Sequence, residues 1–112
     1  MLKKKNRLTK QNDFDKVFQK GSSSFDRIMG LKVLKNNFPE NRFGVIVSNK
    51  VSKSAVERNK IKRRIREAIK LYSEEMKLGF DVVVVVLPEA KEIDFEVLKK
   101  TYLKHLKKLK LL

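Results

Sequence analysis

The sequence lacks cysteine and tryptophan, and it has one histidine, two prolines and four glycines in 112 residues. Without cysteine there can be no disulfide bond and no thiolate metal ligand, which fits a protein of a reducing compartment. The sequence also shows no Gly-rich phosphate loop and no Ser/His/Asp order typical of nucleophilic catalysis. These absences argue against catalytic machinery in the protein itself.

Long apolar runs are also absent. A membrane-spanning helix needs roughly 20 apolar residues, whereas the longest run, Val82 to Leu87, has the length of a strand. Met1 to Arg7 is basic and has no apolar segment behind it, unlike a secretory signal. We therefore expect a cytoplasmic protein with no membrane partner.

Acidic residues are scarce relative to basic ones. Lys and Arg number 28 against 13 Asp and Glu, which gives a formal net charge of +15. Such self-repulsion opposes a compact monomer and favours a polyanionic partner. Nucleic acid is the first candidate, and an anionic membrane is the weaker rival. Apolar residues make up 41% of the chain, enough for the core of one domain over residues 1–112.

The first part of the chain predicts a basic arm, a short helix and an edge strand. We expect the arm, residues 1–7, to be extended or mobile. Thr9 is a candidate N-cap for a helix from about Lys10 to Lys20, and Gly21 offers a left-handed stop. Residues 21–25, small and polar, form a candidate edge strand.

Alternating apolar residues predict two further strands, Arg27 to Lys35 and Arg42 to Ser48. The short connection between them favours an antiparallel pair. The nearly all-valine segment from Asp81 to Leu87 is typical of a central strand that is covered on both faces.

Two longer helices complete the prediction. One runs from about Ala55 to Met76, before the stop signal Gly79. The other begins after the cap Asp94 and carries an apolar stripe, with His105 expected at the stripe edge or on the surface. The chain therefore predicts an α/β (α+β) two-layer sandwich, a small mixed four-stranded sheet with helices packed on it.

The helix after Ser54 separates its apolar and basic side chains. At roughly 100° per residue, one stripe faces the sheet; it contains Ile61, Ile65, Ala68, Ile69 and Tyr72. About 120° away lies a second stripe, here called the basic row, which consists of Asn59, Lys62, Arg63, Arg66 and Lys70. Arg58 falls near the apolar stripe, so we expect it to reach out past the strand ends.

The charged face of a helix is commonly no more than a solvated surface, but in this helix the repulsion between like charges favours binding to an anion. Like charges at i, i+3 and i+4 cost about 0.2–0.5 kcal/mol per pair, and Glu57 and Glu67 are too few to neutralise the cations around them. Phosphates would relieve this repulsion. Asn59 adds a neutral donor and acceptor suited to a base edge or a 2′-hydroxyl.

The same helix carries a family resemblance. Lys50 and Lys53, followed by Ala55-x-x-Arg58-Asn59-x-x-Lys62-Arg63-x-x-Arg66, resemble the signature of the bacterial ribonuclease P protein family. The likeness extends to Asn6-Arg7-Leu8, Asp13-Phe14-x-x-Val17-Phe18-x-x-Gly21, the strand Val45-Ile46-Val47-Ser48 and the strand Gly79-Phe80-Asp81-Val82-Val83. It covers nearly the whole chain in order.

The resemblance implies a protein that assists a catalytic RNA. That RNA, with its bound Mg²⁺, cleaves precursor tRNA endonucleolytically to give the mature 5′ end, while the protein binds no cofactor alone and joins the RNA as a 1:1 monomer. Contacts to the catalytic RNA would come from Lys50, Lys53, Arg58, Asn59, Lys60, Lys62, Arg63, Arg66 and Lys70. Phe14, Phe18 and Lys32 would line a cleft for the 5′ leader.

The resemblance also implies a fold like a domain of a small-subunit ribosomal protein, with a left-handed strand–helix–strand crossover where chain physics favours the right-handed one. Three positions depart from the family pattern. Lys60 replaces the last arginine of an Arg-Asn-Arg core and loses the bidentate fork. Lys32 stands where many members have an aromatic residue, and Leu87 stands at a strand end that is often basic.

Other interpretations stay open at this point. A ribosomal or other structural RNA-binding protein of the same fold would explain the charge, although not the combined motifs. A protein-only nuclease lacks its residues, because the pairs Asp13 with Asp15 and Glu74 with Glu75 point apart on a helix and make poor metal sites. Phe14 and Phe18 at i, i+4 could simply be core residues.

Overall fold

A computed structural model describes residues 3–112. Its three α-helices are α1 (Gln11–Lys20), α2 (Ala55–Tyr72) and α3 (Phe95–Lys108). Its four strands are β1 (Ser22–Phe25), β2 (Met29–Lys35), β3 (Arg42–Ile46) and β4 (Phe80–Val86). Short 3₁₀ turns cover Lys4–Asn6, Ser73–Glu75 and Pro88–Glu92. The predicted mixed α+β fold with a four-stranded sheet is confirmed.

The strands lie in the order β1-β2-β4-β3. β2 is antiparallel to both of its neighbours, β1 and β4, and β3 is parallel to β4. The predicted direct pairing of β2 with β3 is therefore wrong, because β4 lies between them. The crossover from β3 through α2 to β4 joins parallel neighbours, and its left-handed sense stays a prediction of the family resemblance.

Helices α2 and α3 pack on one face of the sheet and bury the main core. Alternate strand residues point into it, as the sequence predicted; they include Met29, Leu31, Val33, Val82, Val84 and Val86. From the helices come Ile61, Ile65, Ile69, Leu98, Tyr102 and Leu106. On the opposite face, Leu8, Val17 and Val83 form a second, smaller cluster beneath α1. β4 is thus covered on both faces, as its run of valines predicted.

The start of the chain is more ordered than predicted. The segment from Lys3 to Arg7 forms a 3₁₀ turn and bridges to β3 at Phe43, where the N–H of Leu8 donates to the Phe43 carbonyl at 2.8 Å. Lys5 pairs with Glu40 at 2.8 Å. An extended or mobile arm is therefore wrong for residues 3–7, and residues 1 and 2 lie outside the described part of the chain.

The predicted roles of Thr9 and Gly21 at the ends of α1 are also wrong. Lys10 is the N-cap residue and makes no side-chain capping bond, while Gly21 has an ordinary φ of −78°. Gly21 is required for a different reason. A Cβ there would lie 2.5 Å from the carbonyl oxygen of Val17 and 2.7 Å from that of Val33, so only glycine allows α1 to turn this closely into β1.

His105 lies in the interior rather than at the stripe edge or on the surface. It is 1% exposed, its Nδ1 lies 2.7 Å from the Ser24 hydroxyl, and its Nε2 lies 3.0 Å from Asp26. This side chain ties α3 to the edge strand β1 and to the turn that follows it. Of the described helices, none is both long and apolar enough to cross a membrane.

Candidate nucleic-acid interface

The loop between β3 and α2 presents two lysines by burying the residues between them. Val51 and Ser52 are 4% and 6% exposed, and the N–H of Val51 donates to the Ser48 carbonyl at 3.0 Å. Lys50 and Lys53 lie on either side of this anchor and are exposed. The loop therefore holds both cations outward at the entrance to α2.

The first turn of α2 is fixed by a cap and by an arginine. The Ser54 hydroxyl accepts from the N–H of Glu57 at 3.3 Å, which satisfies a free donor of the helix N-terminus. Arg58 Nη1 donates to the Ser52 carbonyl at 2.9 Å, so this half-buried arginine is bent toward the loop. The other four of its five N–H donors make no hydrogen bond among the described residues, so most of the guanidinium fork is available for a further contact.

The basic row lies on one side of α2, as predicted. Asn59, Arg63, Arg66 and Lys70 are exposed and Lys62 is partly exposed, while the isoleucines of the other stripe are buried. None of these cations forms an ion pair within the part of the chain that the structure describes. Glu67 lies within the same stretch of α2 and forms no ion pair among the described residues, and Glu57 pairs with Lys91 at 3.5 Å. The row is therefore a surface of uncompensated positive charge.

Lys60 does not join this row. At roughly 100° per residue it lies about 110° around the helix from the centre of the row, although it too is exposed. The structure thus groups most of the predicted contacts to the catalytic RNA on one side of α2 and leaves Lys60 on another. A single straight stretch of phosphate backbone could not contact Lys60 and the whole row at once.

The predicted leader cleft lies on the sheet face opposite α2 and α3. Lys32, Val83 and Gly44 are register partners across three strands and share this face, here called the cleft face. Phe14 is half-buried and packs here; a Cβ at Gly44 would lie 2.6 Å from its ring. Phe18 is 40% exposed. Phe14 is thus mostly a packing residue, and Phe18 is the one that is open to a ligand.

Lys32 and Phe18 are brought together at the margin of α1. The Lys32 Nζ lies 5.4 Å from the centroid of the Phe18 ring, within the range of a cation–π contact. The arrangement places a positive charge over a partly exposed aromatic ring. The ammonium can contact a phosphate, and the part of the ring that stays exposed can contact a base.

An ion-paired network fixes α1 over the cleft face. Arg42 on β3 donates to both carboxylate oxygens of Asp81 at 2.8 and 2.7 Å, and to Asp13 of α1 at 3.3 Å. The hydrogen bonds that Arg42 donates to Asp81 are the main cause that raises the pKa of Arg42, and Asp13 adds to it. Because Asp13 precedes Phe14, this network also positions the aromatic residues of α1.

Phe25 is an additional aromatic residue of the cleft face that the sequence analysis missed. It pairs with Gly30 in the register, its ring covers that glycine, and it is 47% exposed. The pattern Ser23-Ser24-Phe25 on a predicted edge strand already placed Phe25 two residues from Ser23 and so on the same face. What the sequence did not give was the register that brings Ser23 opposite Lys32.

Within residues 3–112, no group of three or more His, Asp or Glu side chains is placed to hold a metal ion. The carboxylate of Asp13 faces Arg42, and that of Asp81 is also taken by Arg42.

The sequence of this chain is similar to those of known ribonuclease P proteins. The family model described as Ribonuclease P matches residues 2–110. The ribonuclease P protein component of Bacillus mycoides is 41% identical over 101 residues, covering 89% of this chain and 87% of the relative. That of Clostridium botulinum strain 657 is 37% identical over 106 residues, covering 94% and 95%.

A solved structure agrees with these sequence relatives. The structure of the Staphylococcus aureus RNase P protein superposes with a TM-score of 0.87 at 32% identity, and the match covers 95% of this chain and 96% of that one. Sequence and fold therefore match together over nearly the full length. This chain belongs to the ribonuclease P protein family.

Proposed function

We propose that this protein is the subunit of ribonuclease P that binds the catalytic RNA and the 5′ leader of precursor tRNA, in the cytoplasm. The observation that carries the proposal is the basic row on α2, whose cations have no acidic partner in residues 3–112. Membership of the family supplies the identity of the RNA partner. The row supplies the physical means, because each neutralised phosphate releases condensed counterions and so favours association.

The catalytic-RNA surface would comprise the loop lysines, Arg58 and the basic row. Arginine suits bidentate phosphate contacts, while lysine acts as a point charge. Asn59 stands among the cations and can both donate to and accept from a base edge or a ribose hydroxyl. Lys60 would contact a separate part of the RNA, since it lies on another side of α2.

The leader would bind on the cleft face. Phe18 and Phe25 offer exposed rings for stacking, which is worth about 1–3 kcal/mol per base and tolerates any sequence. Lys32 offers a charge for the leader backbone and lies 5.4 Å from the centre of the Phe18 ring. We infer a leader site with little base preference at the position of Lys32.

Chemistry in this complex would belong to the RNA and its Mg²⁺. The protein would bind no cofactor alone and would join the RNA as a 1:1 monomer. Its only histidine is buried between Ser24 and Asp26, out of reach of a phosphodiester. A structural RNA-binding role remains the second candidate, and the family match disfavours it.

The decisive experiment adds the purified protein to a bacterial ribonuclease P RNA at low Mg²⁺ with precursor tRNA as substrate. We expect faster cleavage at the mature 5′ end, and tighter binding of a substrate with a leader than of one without it. No stimulation at any Mg²⁺ concentration would contradict the proposal. The protein without RNA is the control, and cleavage by that control would show that catalysis belongs to the protein instead.

A further inference from the structure

A groove of about 890 Å³ lies between α2 and α3. Its apolar lining residues are Leu71 of α2 and Phe95 of α3, and Arg63, Arg66, Lys70 and Lys99 line it as well. The volume is within the range of about 300–1,000 Å³ that is usual for sites that bind small organic groups. The groove therefore has room for a group as large as a nucleobase.

Leu71 is one of two exposed large apolar residues of α2, the other being Val56 in the first turn. It is 55% exposed, although α2 already buries its isoleucine stripe elsewhere. Phe95 packs partly against the main core and leaves part of its ring at the groove. The Lys99 Nζ lies 5.3 Å from the centroid of that ring and bonds Glu96 at 2.9 Å. The apolar part of the lining is thus in part aromatic, and the Lys99 ammonium lies over the Phe95 ring.

The charges around the groove narrow the choice of ligand. Arg63, Arg66 and Lys70 line the groove and also belong to the basic row, so an RNA on that row passes along the groove. Glu67 and Glu74 also line it. Their carboxylates would repel a phosphate, but they can accept hydrogen bonds from the amino and imino groups of a base. A lining that combines apolar side chains, hydrogen-bond acceptors and cations suits a nucleobase whose phosphates contact the cations.

We propose that this groove takes the base of one unpaired nucleotide of the bound RNA, placed against Leu71 and Phe95 while its flanking phosphates contact the basic row. The inference rests on the proposed function, because it requires RNA on α2. It adds a base-binding site on the α2–α3 face, opposite the cleft face. Unpaired bases are the elements of RNA whose flat surfaces are open to apolar side chains.

The test compares two RNA hairpins that differ by one bulged 2-aminopurine. The variant is Leu71→Gln, because both residues favour helix equally and the site is exposed. Leu78→Gln is the matched control, since Leu78 is 64% exposed and lies outside the groove lining. We expect Leu71→Gln to lower the affinity for the bulged hairpin by about fivefold, the lower end of a base-stacking contribution. The fully paired hairpin and the Leu78→Gln protein should show no change.

Salt dependence and a third variant separate the two proposals. The Leu71→Gln loss should be equal at all salt concentrations, because no charge is removed. Lys62→Gln, in the basic row but outside the groove lining, should weaken both hairpins. If Lys62→Gln does so and Leu71→Gln leaves both hairpins unchanged, the groove proposal is overturned and RNA binding by α2 stands. If Lys62→Gln has no effect on either hairpin, the proposed function of the basic row fails.

Discussion

At the scale of single residues, the cations of the basic row, like most lysines and arginines of this chain, form no ion pair among residues 3–112, but they are concentrated on one side of a single helix. Removing one of them breaks no ion pair in the free protein. The unfolding free energy should then change by no more than about 0.5 kcal/mol. The same cations can therefore be tested for RNA binding without a loss of folding that would confuse the result.

Arg66→Ala should weaken binding to the catalytic RNA and reduce the slope of log affinity against log salt by about one unit, because one phosphate contact is lost. Affinity measured by filter binding or anisotropy over a salt series gives the slope. Lys107→Ala on α3 is the matched control, being an exposed cation far along the chain from the row. An unchanged slope for Arg66→Ala would contradict a phosphate contact at this residue.

His105 and Asp26 form the second residue-scale feature. Burial lowers the pKa of His105 from its ordinary 6.5 and outweighs the opposing effect of Asp26. For Asp26, burial opposes ionisation, but the N–H groups of Met29 and Ile28, together with His105, lower its pKa below 3.8. The folded state therefore favours a neutral imidazole, with Nε2 donating to an ionised Asp26 and Nδ1 accepting from the Ser24 hydroxyl.

The folded protein should lose stability as the pH falls below about 6.5, the ordinary pKa of histidine. The unfolded chain takes up the proton first, so the stabilisation from neutral His105 is complete above that pH and is lost as the pH falls through the lower pKa of the folded state. Asp26 adds a second loss below 3.8, in the same direction.

Urea unfolding of the wild type and His105→Gln over pH 5 to 8 measures this effect. The variant should be less stable by about 1–3 kcal/mol at the upper pH, because two buried hydrogen bonds are disturbed. The gap should narrow toward pH 5. Lys108→Gln serves as the control for charge alone. A gap that stays constant with pH would show that His105 does not titrate differently in the folded state.

The sequence could not place His105, although it predicted the basic row well. The row follows from helical periodicity within one element, which a sequence displays directly. The partners of His105, Ser24 and Asp26, lie 81 and 79 residues away. Their proximity depends on α3 packing against β1, and no periodicity encodes that contact.

At the scale of elements, the joint between α1 and β1 decides how α1 sits on the cleft face. Gly21→Ala would place a methyl group 2.5 and 2.7 Å from two backbone carbonyl oxygens. Backbone cannot rotate away as a side chain can, so α1 must shift. We expect a loss of about 1–3 kcal/mol in unfolding free energy, as for an overpacked site. Thermal or urea unfolding measures the loss.

The neighbouring exposed residue provides the control for this joint. Ser22 is exposed on β1, and Ser22→Ala replaces its side chain with one of similar size. The unfolding free energy of this variant should stay within about 0.5 kcal/mol of the wild type. Gly21→Ala should also weaken binding of the 5′ leader if α1 forms part of that site. Equal stability of the two variants would contradict the close approach of α1 to β2.

The helices and strands were largely predictable from the sequence, but the order of the strands in the sheet was not. Each predicted strand and helix exists within a few residues, because turns, caps and apolar alternation mark them locally. The short connection between β2 and β3 suggested a hairpin. In the structure β4 takes the place between them, since its all-apolar segment needs cover on both faces and a central position provides it. The alternation of apolar residues shows which face of a strand is buried, but it does not show which strand lies next to it in the sheet.

At the scale of the whole molecule, a formal charge of +15 acts on a fold with a Cα radius of gyration of 12.9 Å. This charge is read directly from the sequence, which predicted a polyanionic partner, and membership of the ribonuclease P protein family agrees with that prediction. The structure adds the distribution: the basic row lies on α2, and the cleft face lies on the other side of the sheet. Two RNA segments could therefore bind the protein at once.

The free protein should be stabilised by multivalent anions. Cations packed on one small surface repel each other in the folded state more than in the expanded chain, so an anion bound to the folded form shifts the equilibrium toward it. Pyrophosphate at low millimolar concentration should raise the midpoint of thermal unfolding by a few degrees, because ~1 kcal/mol shifts the midpoint of a domain this size by about 4–8 °C. Differential scanning fluorimetry measures the shift.

Two controls decide whether that shift comes from the basic row. Sodium chloride at the same ionic strength screens the charges but does not bridge two cations. It should therefore raise the midpoint of thermal unfolding by less than pyrophosphate does. Arg63→Gln with Arg66→Gln removes two cations of the row and should reduce the pyrophosphate shift while leaving the chloride shift nearly unchanged. If chloride and pyrophosphate act equally on the wild type, the positive charge is diffuse over the molecule, and α2 has no local anion site that a phosphate backbone could use.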